Sequence, residues 1–333
     1  MRHIIIHLGI YLQKKVAPFI VFLFSAGFLQ ASINTSVYVS AHQDDWQLFM
    51  GVNAYNDIVK SSDSSRVLIV YVTAGDYSDC LTTSDTQPVP YFLAREQGAK
   101  NSVELAANTH KQRYEWENDT VKIHGHLLLR SSYKFITCYF LRLADGAIDG
   151  QRNLSLRNFR KNRFANNYSI DSLTRYTNWN DLSTTCSNIL EFETKNSNEI
   201  FLNLFDTSYV YNPNDHSDHY ETALIFLNAS NTMPVKRLVY EGYNSGNNRA
   251  ANLKNLDIMK ESALFAAYNQ AMIDNNYPSI WNNDYIRFCD KNYFRLVSVE
   301  PQTETPHKKS VIGMFILLTL VISLFYYSVL TRK

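Results

Sequence analysis

The chain has 333 residues, of which 45% are apolar, enough to bury one sizeable core or two small ones. A formal net charge of +1, with no long run of Lys or Arg, leaves no electrostatic case for a nucleic-acid partner.

In chain order, residues 16–31 form an apolar stretch behind Arg2, Lys14 and Lys15. This reads as a signal peptide over 1–31, cut near Ala31, with an uncleaved N-terminal anchor as the alternative. Strands are expected at 36–41, 67–73, 121–129, 136–141, 207–211 and 237–243. Helices are expected at 47–60, 91–107, 217–229 and 253–273. Strands alternating with helices imply an α/β fold, a doubly wound and largely parallel sheet in a single domain over 32–299. Residues 147–182, rich in Asn, Arg, Ser and Tyr, lack periodicity and read as a long excursion near the site. Residues 300–310 read as a linker. Val311 to Leu330 is 20 residues without a charge, the length of a transmembrane helix, before a basic tail at 331–333.

Two segments carry the chemistry. Val37 to Ala41 reads as a strand running directly into His42, Gln43, Asp44 and Asp45. Strand ends are where α/β sheets place their sites. His42 and Asp45, three apart across a tight turn, can converge on one cation and leave Asp44 free as a base. Far downstream, His216 and His219 also stand three apart, with Asp215 and Asp218 interleaved, at the start of the expected helix 217–229. The bland reading of Asp218 is a helix cap. Each segment ends an expected strand, and together they complete a partial metal site.

These residues carry a family resemblance. Ala41-His42-Gln43-Asp44-Asp45 resembles the AHPDD(E) motif of the PIG-L/LmbE-like N-acetylglucosaminyl deacetylases, and His216-Ser217-Asp218-His219 resembles their HPDH motif. Val70 to Asp76 resembles the second strand with its T-x-G turn, Arg95 to Ala99 the R-E-x-x-A helix, and Leu141 to Gly146 the L-R-L-P-D-G segment. Order and spacing hold from about residue 36 to 290. Gln43 replaces the usual Pro and Trp46 the usual Glu, which bears on pocket shape and on support of the site but removes no ligand.

The resemblance implies a Rossmann-like fold and one Zn2+ per chain, or another divalent metal, held by His42, Asp45 and His219. It implies Asp44 as general base, His216 as oxyanion stabiliser kept protonated by a carboxylate such as Asp218, and Arg95 and Asp145 in the substrate pocket. The bland readings of the last two are an exposed Arg95–Glu96 helix pair and an ordinary turn at Asp145-Gly146. The family's pocket tyrosine has no counterpart at matching spacing, since Tyr211 precedes His216 by five residues. The implied reaction is removal of the N-acetyl group from an N-acetylglucosamine-type sugar in a glycan or glycoconjugate. The alternatives are an amidase acting on another N-acyl or thiol conjugate, and a catalytically silent glycan-binding module.

Lys14 and Lys15 on the inner side place the catalytic domain outside the membrane, although Lys308 and Lys309 then fall on the outer side too. In the family's eukaryotic phosphatidylinositol-glycan enzyme, which also has an N-terminal apolar segment, the catalytic part faces the cytosol. Five N-x-S/T sequons are as many as the composition produces by chance and say nothing about secretion. Cys80, Cys138, Cys186 and Cys289 permit three pairings or remain thiols, and without a C-x-x-C pair they make no cysteine-zinc site.

Overall fold

The computed structural model describes residues 33–77, 89–110 and 113–297. The expected signal segment, Cys80, the linker and the apolar segment 311–330 lie outside them. No helix of the described residues is long and apolar enough to cross a membrane.

The strands are β1 (Ile33–Ser40), β2 (Ser65–Thr73), β3 (Glu117–Ile123), β4 (His126–Tyr133), β5 (Ile136–Leu143), β6 (Asn167–Tyr168), β7 (Arg175–Tyr176), β8 (Ser197–Phe205), β9 (Val235–Tyr240) and β10 (Phe294–Val297). The helices are α1 (Asp45–Phe49), α2 (Gly51–Val59), α3 (Tyr91–Ala107), α4 (Leu156–Arg160), α5 (Trp179–Thr194), α6 (Ser217–Ala229), α7 (Tyr243–Asn248), α8 (Leu256–Asp274) and α9 (Asn283–Ile286).

The main sheet runs β10-β9-β8-β1-β2-β5-β4-β3. Its five central strands, β9 through β5, are parallel, with β10 antiparallel on one edge and the β4–β3 hairpin antiparallel on the other. Parallel strands are covered on both faces, and β2 accordingly is buried without interruption from Val67 to Thr73. From β1 the chain crosses to β2 on one side, whereas β8 on its other side leads through α6 to β9. Right-handed crossovers running in opposite directions put α2 and α6 on opposite faces. Helices α3 and α8 pack on each other and on α2, while α6 packs on α4 and α5. The order reverses at β1, so the crevice beyond the carboxyl ends of β8, β1 and β2 is where this architecture holds ligands.

The expected α/β class and largely parallel sheet are therefore present, and helices 91–107 and 217–229 fall within the expected bounds. Several elements differ. No strand covers 207–211; the strand is β8, ending at Phe205, and the chain then turns, with the amides of Tyr211 and Asn212 both returning to the Ser208 carbonyl. The expected strand 121–129 is a hairpin, because His124 and Gly125 both take positive φ (49° and 84°), as a two-residue hairpin turn demands. The expected helix 47–60 breaks at Met50 into α1 and α2. Strand 237–243 is shifted to β9, since Gly242 starts the turn into α7. The excursion 147–182 contains α4, the small β6–β7 pair and the first turn of α5, which Asn178 caps by accepting the Asp181 amide. Cys138, Cys186 and Cys289 are buried thiols without a disulfide.

Candidate metal centre

The turn after β1 is built by its own side chains. Ser40 donates to the His42 carbonyl (2.7 Å), and the His42 amide donates to Asp45 Oδ2 (2.6 Å). Thr73, at the end of β2, bonds the Ala41 carbonyl with both its amide and its hydroxyl, and Gln43 Nε2 donates to the Thr73 carbonyl. These bonds clamp the two strand ends together and leave Asp45 Oδ1 facing the crevice. Oδ1 lies 3.3 Å from His42 Nδ1 and 3.1 Å from Nε2 of His219.

His219 arrives from the first turn of α6. His216 caps that helix, its Nδ1 accepting the Asp218 amide at 3.1 Å. The His42 and His216 rings meet edge-on, with centroids 4.6 Å apart. Phe205, the last residue of β8, lies flat on the His219 ring at 3.8 Å. Asp218 Oδ2 accepts the Gly146 amide (2.7 Å) and lies 3.5 Å from His42 Nε2, with Asp145 Oδ2 at 3.4 Å from the same nitrogen. All of these side chains are buried.

Asp44 makes a separate contact. It pairs with the buried Arg95 guanidinium, which also donates to the Tyr268 hydroxyl (2.7 Å) and the Gly75 carbonyl (3.0 Å). Gly75 has φ of +54°, and a Cβ there would sit 2.6 Å from Arg95 Nη1, so only glycine lets the guanidinium approach. Arg95, expected in the substrate pocket, thus has three protein partners of its own and orients Asp44.

The electrostatics follow from burial and pairing. Burial opposes a charge on His42, but Asp45 and Asp145 overcome it and hold its pKa well above the ordinary imidazole range. For His219, Asp215 and Asp45 likewise outweigh burial and push the pKa up to about 9. Burial works against the Asp45 carboxylate, yet His219 and His42 hold its pKa well below the usual range. His216 goes the other way. Burial, with His42 beside it, lowers its pKa well below the imidazole norm, against the pull of Asp218. The expectation that Asp218 keeps His216 protonated is therefore corrected: the Asp218 carboxylate is turned to Gly146 and His42, and its amide occupies His216 Nδ1. With Nδ1 accepting that amide, a neutral His216 ring would carry its proton on Nε2.

The residues fit a divalent cation. His42, Asp45 and His219 offer two nitrogens and one oxygen, all buried and close together. With metal–ligand bonds of about 2.0–2.2 Å, tetrahedral donors stand about 3.4 Å apart, near the 3.1 and 3.3 Å observed. His42, Asp145, His216 and Asp218 form a second close group. It is the poorer cage, because His216 Nδ1 and Asp218 Oδ2 already accept backbone amides. Nε2 of His42 is buried without a hydrogen bond and lies between Asp145 and Asp218, while its Nδ1 is the nitrogen beside Asp45.

Several participants have no role assigned from sequence. Phe205 and Tyr268 are brought to the site by tertiary packing, whereas Asp215 stands only four residues before His219 and meets it locally. Tyr243, in α7, supplies the tyrosine ring beside the histidines, its centroid 5.4 Å from that of His219. Tyr211 is instead half-exposed beneath the Arg295 guanidinium. Trp46, expected to shape the pocket, is wholly buried and donates to the Tyr71 hydroxyl (2.7 Å) in the core.

Fold and site together define a doubly wound α/β protein with a buried two-histidine, one-carboxylate centre at its switch point. The chain matches no protein-family model and none of the curated proteins. Among solved structures it is similar to the zinc-inhibited form of teicoplanin deacetylase Orf2, at 12% identity over 76% of this chain and 90% of that one, with a TM-score of 0.42. A deacetylase–teicoplanin complex gives 12% identity over 72% and 89%, with a TM-score of 0.41. GalB, the 4-carboxy-2-hydroxymuconate hydratase of Pseudomonas putida KT2440, gives 12% over 81% and 98%, with a TM-score of 0.42.

Proposed function

We propose that this protein is a zinc-dependent hydrolase of the PIG-L/LmbE-like type that removes the acetyl group from an N-acetylated amino sugar in a glycan or glycoconjugate. The observation that carries the reading is the convergence of His42 and His219 on one oxygen of Asp45, beside an Asp44 that is buried, charge-paired and outside the donor set. A divalent cation held by His42, Asp45 and His219 would supply Lewis acidity toward a water and the substrate carbonyl.

The remaining work falls to the chain's own groups. Asp44, held in place by Arg95, accepts the proton of the attacking water and returns it to the departing amine. His216, its Nδ1 occupied by the Asp218 amide, donates from Nε2 to the carbonyl oxygen as negative charge builds there. Asp145 and Asp218 face His42 Nε2 and favour a proton on that nitrogen, which directs Nδ1 to the cation. Residues 311–330 would anchor the chain in a membrane with the catalytic domain outside, which protease protection of intact vesicles tests.

The test is metal analysis of the full-length chain with acetate release from a panel of N-acetylglucosamine derivatives. About one zinc per chain is expected, with turnover lost on chelation and reduced by at least ~100-fold in Asp44→Ala. A metal-free protein that binds the sugar without turnover refutes the reading in favour of a binding module, and turnover indifferent to Asp44→Ala refutes Asp44 as the base.

A further inference from the structure

The two candidate ligand histidines are held by different means. His42 Nε2 lies near two carboxylates without a hydrogen bond to either. His219 Nδ1 lies 2.9 Å from Asp215 Oδ1, and both side chains are completely buried. The Asp215 carboxylate is itself fixed on every side. Oδ1 also accepts the Tyr243 amide (3.0 Å), and Oδ2 accepts Asn212 Nδ2 (2.7 Å). Asn212 in turn accepts the Gly242 amide through its own side-chain oxygen. A Cβ at Gly242 would overlap the Asp215 carboxylate, so the turn between β9 and α7 is shaped to admit it.

We propose that Asp215 is a positioning residue for the cation site. It accepts the Nδ1 proton of His219, and with that proton held, Nε2 is the only ring nitrogen with a free lone pair, aimed at Asp45. The inference rests on the metal reading above and adds to it which atom of His219 is the ligand and what selects it. An imidazole backed by a carboxylate is also a stronger donor, and removal of such partners costs about 10–100-fold in metal affinity. Phe205, lying flat on the ring, restricts the imidazole's tilt while Asp215 sets its rotation.

The test is zinc affinity of the full-length chain, measured by competition with a chromophoric chelator. Asp215→Asn should bind zinc about 10–100-fold more weakly than wild type. Tyr220→Phe is the control. Its hydroxyl ties the same loop through the Asp215 amide and the Asn212 carbonyl without touching the carboxylate–imidazole contact, so zinc affinity should stay within about threefold. Equal losses in both variants, or no loss in Asp215→Asn, overturns the proposal. Histidine 15N spectra of zinc-loaded wild type do not depend on any variant folding. A proton on His219 Nδ1 supports the proposal, and one on Nε2 overturns it. A wild type that binds no zinc refutes the metal reading and this proposal together, whereas zinc binding with unaltered Asp215→Asn affinity refutes this proposal alone.

Discussion

Arg95 and Asp44 offer a test of how the site is held that needs no substrate. Both side chains are less than a tenth exposed, and no other cation pairs with Asp44 among the described residues. Arg95→Met keeps most of the buried volume but leaves Asp44 without its counter-charge, a change that costs about 3–5 kcal/mol. Asp44→Asn alone is milder, because Arg95 retains its bonds to the Tyr268 hydroxyl and the Gly75 carbonyl; losing the charge-assisted bond costs about 1.5–3 kcal/mol. The informative variant is the double one. With Met at 95, Asp44→Asn removes an uncompensated buried charge and should restore about 1–3 kcal/mol. The same substitution thus destabilises one background and stabilises the other. Urea unfolding midpoints of the four proteins, measured with chelator present so that metal linkage plays no part, give the cycle directly. A cost for Asp44→Asn that is equal in both backgrounds would show that Arg95 is not the counter-charge of Asp44.

Three further outcomes follow. Zinc must displace protons from His42 and His219, so apparent affinity should rise with pH through about 9, where His219 is half deprotonated; affinity flat across pH 6–9 refutes the assigned ligands. The metal-free protein behaves oppositely: the raised pKa of His219 gives stability that is complete below its unfolded value of about 6.5 and is lost as pH rises through about 9, so urea midpoints should fall over that interval. Trp46→Phe should lower stability by about 1–3 kcal/mol, through its lost bond to Tyr71 and lost volume, with zinc affinity unchanged; an affinity loss beyond tenfold would place Trp46 at the site after all.

The candidate site was more legible in the sequence than the strands that carry it. His42, Asp45 and His219 could be paired because each lies at the junction between an apolar run and a polar turn, which the chain marks locally. Strand β8 was hidden by its polar start, Ser197-Asn198-Glu199, and by Asn203, whose amide is buried against the Val37 carbonyl and the Tyr240 hydroxyl. The run Thr207 to Tyr211 looked extended because Tyr and Val favour strands, yet Asp206 accepts the Ser208 amide and turns the chain first. Helix α5 had a readable signal in the buried Leu182, Cys186, Ile189 and Leu190, spaced as one helical face. Asp215 and Arg95 could not be given their roles from sequence. Asp215 meets His219 only four positions on, but the shape of the turn decides which ring nitrogen it faces, and Arg95 meets Asp44 across 51 positions.

The centre also bears on how the domain comes apart. Asp45 and His219 are separated by 174 positions, an interval that contains β2 through β8. A cation bound to both would act as a clasp across the middle of the sheet, closing a loop of chain that includes most of the domain. Because Asp45 follows β1 and His219 lies shortly after β8, such a clasp can form once β8 has docked beside β1. Metal loading should then protect the β1–β8 seam most against transient opening, so that amide exchange slows there before it slows in the β3–β4 hairpin at the far edge.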